Sequence, residues 1–231
     1  MIIKLKHARV SLALHRLQEA AGTPLLLLHA LGGSAADWDL DALGWNGPAY
    51  ALDLCGHGRS GHVRGGGYHA ELWAADADLA LAELGDDALL AGAGVSAYVA
   101  LLLASARPDA VRGALLLPGT GLEGGGPEPD FAQIPVPLPA SGASGALHEA
   151  PALDPAVRFS ESIVRPPDLA RTFAGDAGPL VLCEDGRPRP AWWRALHGLP
   201  HVQLHHGGAA SGLSLLAAST RSSGRRAARS A

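Results

Sequence analysis

Cysteine is scarce in this chain: Cys55 and Cys183 are the only two among 231 residues, and they lie far apart in sequence. A dense disulfide framework of the kind that holds small secreted domains is excluded, and a reducing cytoplasm is the expected setting. Long apolar runs are also lacking. Runs such as Leu25 to Leu28 fall far short of the roughly 20 residues that span a membrane, and Met1 to Leu17 alternates charged and apolar side chains instead of forming the apolar core of a signal peptide. An untargeted protein with no membrane span is expected. There is no basic excess: 18 Lys and Arg against 22 Asp and Glu leave a net charge of −4, so nothing is left over to neutralise a nucleic-acid backbone. Acidic residues stop at Asp185, leaving the last 46 positions without one. From Arg221 to Ala231 the chain is Ser, Ala, Gly and Arg only, which can bury little apolar surface and predicts a disordered tail at 221–231.

What is present suits one domain over 1–220, since 48% of the chain is hydrophobic and the length is ordinary for a single core. Ile2 to Lys6 and Arg9 to Leu17 alternate like two half-buried antiparallel strands. Leu25 to Leu28 is instead continuously apolar and empties into His29-Ala30-Leu31-Gly32-Gly33, the pattern of a strand buried on both faces. Ala49 to Leu54, Ala88 to Gly92, Val111 to Leu117, Leu180 to Cys183 and Val202 to His205 repeat it, with helical stretches at Tyr68 to Leu84 and Val95 to Ala106 between. This alternation predicts an α/β fold: a mostly parallel central sheet with helices on both faces. A Gly/Pro-rich break at about 120–176, with one helical piece near Ala156 to Thr172, reads as a small lid insertion at the carboxyl edge of the sheet, where such folds bind ligands.

Three motifs end the predicted strands. His29-Ala30-Leu31-Gly32-Gly33-Ser34 is followed by Asp53-Leu54-Cys55-Gly56-His57-Gly58-Arg59-Ser60-Gly61, and then by Gly92-Ala93-Gly94-Val95-Ser96-Ala97 opening a helix. In order and spacing they resemble the α/β-hydrolase superfamily over about residues 10 to 206. The resemblance implies acyl transfer on a small ester or amide by a serine on a strand-to-helix elbow, Gly-x-Ser-x-Gly, with a backbone oxyanion hole and a later Asp/Glu and His. The oxyanion and substrate-binding side would then comprise His29, Leu31, Gly32, Gly94 and Val95, with the Leu31 and Val95 N–H groups as donors.

The chain departs from the pattern at the reacting groups. Gly94 stands in the nucleophile slot, and glycine has nothing to attack with. A frame shifted by two makes Ser96 the nucleophile, at the cost of the second glycine; the competing reading is a first-turn serine bonded to local backbone. The acid would be Asp185, with Glu184 as the alternative, unless both are solvated loop carboxylates. The expected histidine slot after Gly207-Gly208 holds Ala209, leaving His206, or His205, a few residues early. A hydrolase using Ser96, Asp185 and His206 and a catalytically inactive ligand-binding protein on the same scaffold are therefore both open, each with a small acyl compound as its ligand.

No cofactor or metal is called for. Gly92-Ala93-Gly94-Val95-Ser96-Ala97 also satisfies a dinucleotide fingerprint, but the next strand ends in Pro118-Gly119-Thr120 with no acid to receive a ribose. Cys55, His57 and His62 lack an evident fourth metal ligand.

Overall fold

The computed structural model describes residues 1–126 and 152–227. Strands β1 (Ile2–His7) and β2 (Val10–Gln18) form an antiparallel hairpin, followed by β3 (Leu25–Leu28), α1 (Leu40–Leu43), β4 (Ala49–Asp53) and the two-residue β5 (His57–Gly58). Then come α2 (Ala70–Glu83), β6 (Ala88–Ala93), α3 (Val95–Ala106), β7 (Val111–Leu117) and the short β8 (Ala152–Leu153). The chain continues through α4 (Pro167–Asp176), β9 (Leu180–Cys183), α5 (Ala191–Arg194), β10 (Val202–His205) and α6 (Ala209–Ala227). Eight strands make one sheet in the order β1-β2-β4-β3-β6-β7-β9-β10. The β1–β2 and β2–β4 pairs are antiparallel, and every pairing from β4 to β10 is parallel.

Two-residue alternation divides the leucine-rich strands between two cores. Leu26 and Leu28 of β3, Leu90 of β6, Leu116 of β7 and Leu182 of β9 face one side, where they meet Trp73 of α2, Val99 of α3 and Ala170 of α4. Leu25, Leu27, Leu89, Leu115 and Val181 face the other, against Leu43 of α1 and Leu213 and Leu216 of α6. Complete burial stabilises each such side chain by about 1.5–3 kcal/mol, which is why these strands carry apolar residues on both faces.

The structure departs from the sequence expectations in two places. The helical piece expected from Ala156 to Thr172 is two elements, a 3-10 turn over Pro155–Glu161 and α4 from Pro167. Pro166 and Pro167 impose the break: a proline disfavours helix in the residue before it, whereas at the first helical position its missing N–H costs nothing. Residues 127–151, the Gly/Pro-rich part of the expected lid, lie outside the described residues. The remainder includes β8, which pairs with β5.

The second difference is at the C-terminus. Helix α6 runs to Ala227, past the expected order boundary at Arg221, while 228–231 lie outside the described residues. Leu213 and Leu216 dock its first turns on the sheet, and a nucleated helix adds further residues at little cost. The described α6 side chains that pack on the core, Leu213 and Leu216, lie before Arg221. Truncation after Thr220 is therefore expected to change the melting temperature by less than about 2 °C, since surface changes are usually within about 0.5 kcal/mol; a larger drop in a thermal scan would show that the Arg-rich end of α6 packs.

Candidate active site

The three motifs converge at the carboxyl ends of β3, β4 and β6. The Asp53 motif serves as a weld. The Asp53 carboxylate accepts from the Ala35 N–H (2.7 Å), the Arg59 N–H (2.8 Å) and His15 Nε2 (2.8 Å). Burial would raise its pKa, but these hydrogen bonds outweigh burial and hold it below the usual carboxylate range. Gly58, at φ +54°, lies so close that a Cβ there would stand 2.4 Å from the Asp53 carboxyl carbon. The Ser60 hydroxyl donates to the Asp53 carbonyl and accepts from the Ala13 N–H, which ties β2 to the same loop.

His29 and His57 cross-link the first two motifs. His29 Nδ1 donates to the Ala30 carbonyl (2.8 Å) and Nε2 accepts from the Leu54 N–H (3.1 Å). His57 Nδ1 donates to the Cys55 carbonyl (3.2 Å), and its Nε2 accepts from the Gly32 N–H (3.2 Å). The two rings are 4.8 Å apart, and Trp73 closes against His57 at 5.6 Å. Both imidazoles are buried and need a neutral ring for this donor and acceptor pattern. Burial depresses His29, while burial followed by the neighbouring His29 brings His57 down to about 3. Neither histidine has a nitrogen free for proton transfer.

The elbow keeps its backbone shape. Gly94 sits at φ 59°, ψ −122°, between β6 and α3, in a region that glycine enters freely and other residues only under strain. Gly92 lets α3 turn back tightly, since a Cβ there would lie 2.0 Å from the Ser96 carbonyl oxygen. The Leu31 N–H and the Val95 N–H both point at one oxygen, the carbonyl of Thr120, at 3.1 and 3.0 Å. The two backbone donors singled out in the sequence are thus brought together, and the chain's own peptide oxygen lies between them. A Cβ on Gly94 would fall 2.1 Å from that oxygen.

The candidate reacting groups are not brought together. Ser96 is fully buried, and its hydroxyl donates to the His29 carbonyl at 2.5 Å, serving neither as an exposed nucleophile nor as a helix cap. Asp185 is exposed and accepts from the Arg187 N–H (3.0 Å) and Arg189 Nη2 (2.7 Å), which hold it below its ordinary pKa. Glu184 is largely buried and accepts from Trp193 Nε1 (2.7 Å) and Arg189 Nε (3.1 Å). His206 is exposed; His205 Nε2 meets Ser211 Oγ at 2.7 Å. Ala209 opens α6. Among the described residues, Ser96, Asp185 and His206 make no hydrogen bond to one another.

Sequence reasoning placed residues from about 120 in the lid but missed that the loop from Pro118 to Gly126 turns the Thr120 carbonyl onto the Leu31 and Val95 N–H groups. Its far end is pinned. The Leu122 carbonyl accepts from Arg165 Nη1 (2.8 Å) and Trp192 Nε1 (2.9 Å), while the Gly125 and Gly126 N–H groups donate to the Ile163 and Glu161 carbonyls. Arg165 is buried, with its guanidinium 5.6 Å from the centre of the Tyr98 ring. The loop lines a cavity of about 620 Å³ that is also walled by Glu161, Asp185, Arg187 and Arg189.

The strand order and the glycine elbow between β6 and α3 are those of the α/β-hydrolase fold, and solved structures agree. A hypothetical protein of Pseudomonas aeruginosa superposes with a TM-score of 0.66 at 19% identity, over 94% of this chain and 97% of that one. The thioesterase domain of the curacin biosynthetic pathway gives 0.65 at 17% identity, over 96% and 97%. An esterase from Rhodococcus sp. gives 0.63 at 22% identity, over 94% and 96%. No protein-family model and no curated protein sequence matches this chain. Among the described residues, no helix is long and apolar enough to cross a membrane.

Proposed function

We propose that this chain is an α/β-hydrolase-fold protein that binds a small acyl ligand without hydrolysing it. One observation carries the reading: at the elbow there is a glycine, and the Thr120 carbonyl occupies the place of a nucleophilic side chain. Acyl transfer needs an attacking oxygen with a base beside it. Ser96 would have to leave the His29 carbonyl and reach a histidine, yet Nδ1 and Nε2 of both His29 and His57 are already bonded. The retained pair of N–H donors supports an acyl carbonyl or carboxylate as ligand, as do structural neighbours that include an esterase and a thioesterase domain.

The rival reading is a serine hydrolase working through Ser96, Asp185 and His206 on a small ester or amide. Treatment with a fluorophosphonate probe followed by intact-mass measurement separates the two. No adduct is expected, and Ser96→Ala is expected to lower stability by about 1–2 kcal/mol, because it leaves the buried His29 carbonyl without its donor. An adduct on the wild-type protein that is absent in Ser96→Ala would establish the hydrolase instead.

A further inference from the structure

We propose that residues Pro118 to Gly121 are a displaceable plug, and that a monocarboxylate with a short aliphatic tail binds by replacing the Thr120 carbonyl at the Leu31 and Val95 N–H groups. The proposal rests on the non-hydrolytic reading above. It starts from the two donors, which come from separate segments, the loop after β3 and the start of α3, and meet on one oxygen at 3.1 and 3.0 Å. A peptide carbonyl offers them only a neutral dipole. Val95 opens a helix whose first turn has no acidic side chain and whose N-cap glycine supplies no side-chain acceptor. An anionic oxygen is therefore the stronger partner for this pair.

The exchange conserves hydrogen bonds. Two N–H···O contacts are broken and two are remade to the ligand, while the Thr120 carbonyl, at an exposed residue, is released to water. The Gly119–Thr120 peptide also fills the space beside Gly94, where a Cβ would lie 2.8 Å from the Gly119 carbonyl carbon and 2.9 Å from that of Thr120. Once vacated, that volume takes the second carboxylate oxygen, which a serine side chain would exclude.

The plug is short and bounded by anchors. β7 holds Leu117, and Arg165 and Trp192 hold the Leu122 carbonyl, so the part that moves is only the stretch between them. Gly121, at φ +78°, is one residue able to absorb the change. It also lets the loop lie flat, because a Cβ there would meet the Leu31 Cβ at 2.8 Å and the Val95 Cβ at 3.1 Å. The same apolar pair provides a wall for an aliphatic tail.

The test is an amide NMR titration of the full-length protein with sodium octanoate, with octanol as the uncharged control, on wild type and Gly121→Ala. The alanine methyl lifts the plug, and removing a closed state tightens apparent binding by the inverse of the open fraction. Octanoate is expected to move the Leu31 and Val95 amide resonances, octanol to leave them in place, and Gly121→Ala to bind octanoate at least about tenfold more tightly. Unmoved Leu31 and Val95 resonances at the highest octanoate concentration, an equal response to octanol, or equal affinity of the two proteins would each overturn the plug. If Gly121→Ala does not fold, the wild-type titration decides alone. Octanoate shifts confined to other amides would remove the plug and leave the binding reading standing, whereas fluorophosphonate labelling would remove that reading whatever the titration shows.

Discussion

Gly94→Ser is expected to destabilise the protein by about 2–6 kcal/mol and to produce no ester turnover. Two costs add. A non-glycine residue at φ 59°, ψ −122° carries strain of roughly 1–3 kcal/mol. Its Cβ, 2.1 Å from the Thr120 oxygen, must also push the Gly119–Thr120 peptide away, an overpacking of about 1–3 kcal/mol. Gly94→Ala is expected to lose a similar amount, since the clash belongs to Cβ and not to the hydroxyl. Turnover is expected to stay absent because, among the described residues, Ala209 holds the expected histidine slot and His29 and His57 are locked by backbone. Urea denaturation and a p-nitrophenyl acetate assay check both parts. A Gly94→Ser protein as stable as wild type, or one that turns over ester in repeated cycles, would refute them.

Acid is expected to unfold this protein through its buried histidines. A histidine in the unfolded chain titrates near 6.5, whereas burial holds His29 lower and His57 at about 3. Below pH 6.5 the unfolded chain therefore takes up protons that the folded chain refuses. The stability these rings provide is complete above that pH and is lost as pH falls towards the folded values. At about 1.4 kcal/mol per pH unit of separation, His57 alone accounts for a loss on the order of 5 kcal/mol across the window. Asp53, held below 3.8, extends the loss at the acid end, because its contribution disappears as pH falls through its folded value. Asp76, raised chiefly by burial despite its bond from His7, acts in the opposite sense and returns part of the stability as pH approaches 3.8. Urea midpoints at pH 8, 6 and 4 measure the sum. His57→Gln, which can accept from Gly32 and donate to the Cys55 carbonyl without titrating, is expected to flatten the profile. A midpoint constant from pH 8 to 4 would contradict this account.

The strands were legible in the sequence where burial leaves no choice. Leu25 to Leu28 and Leu180 to Cys183 run apolar on both faces, as does Val111 to Leu117 apart from Arg112, and each forms a strand with those bounds. The proximity of the Leu31 and Val95 N–H groups was legible too, since an elbow and a glycine loop in that order place backbone groups whatever the side chains. Other features depend on contacts between distant segments. The β5–β8 pair spans two residues per strand, too few for a periodic signal. Ser96 can be placed near the elbow, yet only the path of the His29 loop shows its hydroxyl turned onto a carbonyl. The Thr120 oxygen is a backbone atom that no residue identity reports. The available hint was Gly119 and Gly121 on either side of it, in a segment that would otherwise need no glycine.

The bare Gly94 elbow also sets an order on change. A side chain can enter position 94 only after the Gly119–Thr120 peptide has moved, so a substitution there has one effect in this background and another in a background with an altered loop. The two positions are coupled through a shared volume, and their effects will not add. Single-substitution scanning at position 94 would record intolerance and miss any gain. A library that varies residues 118–121 together with 94 and 209 is the one in which a reacting serine and its base could be selected at the same time.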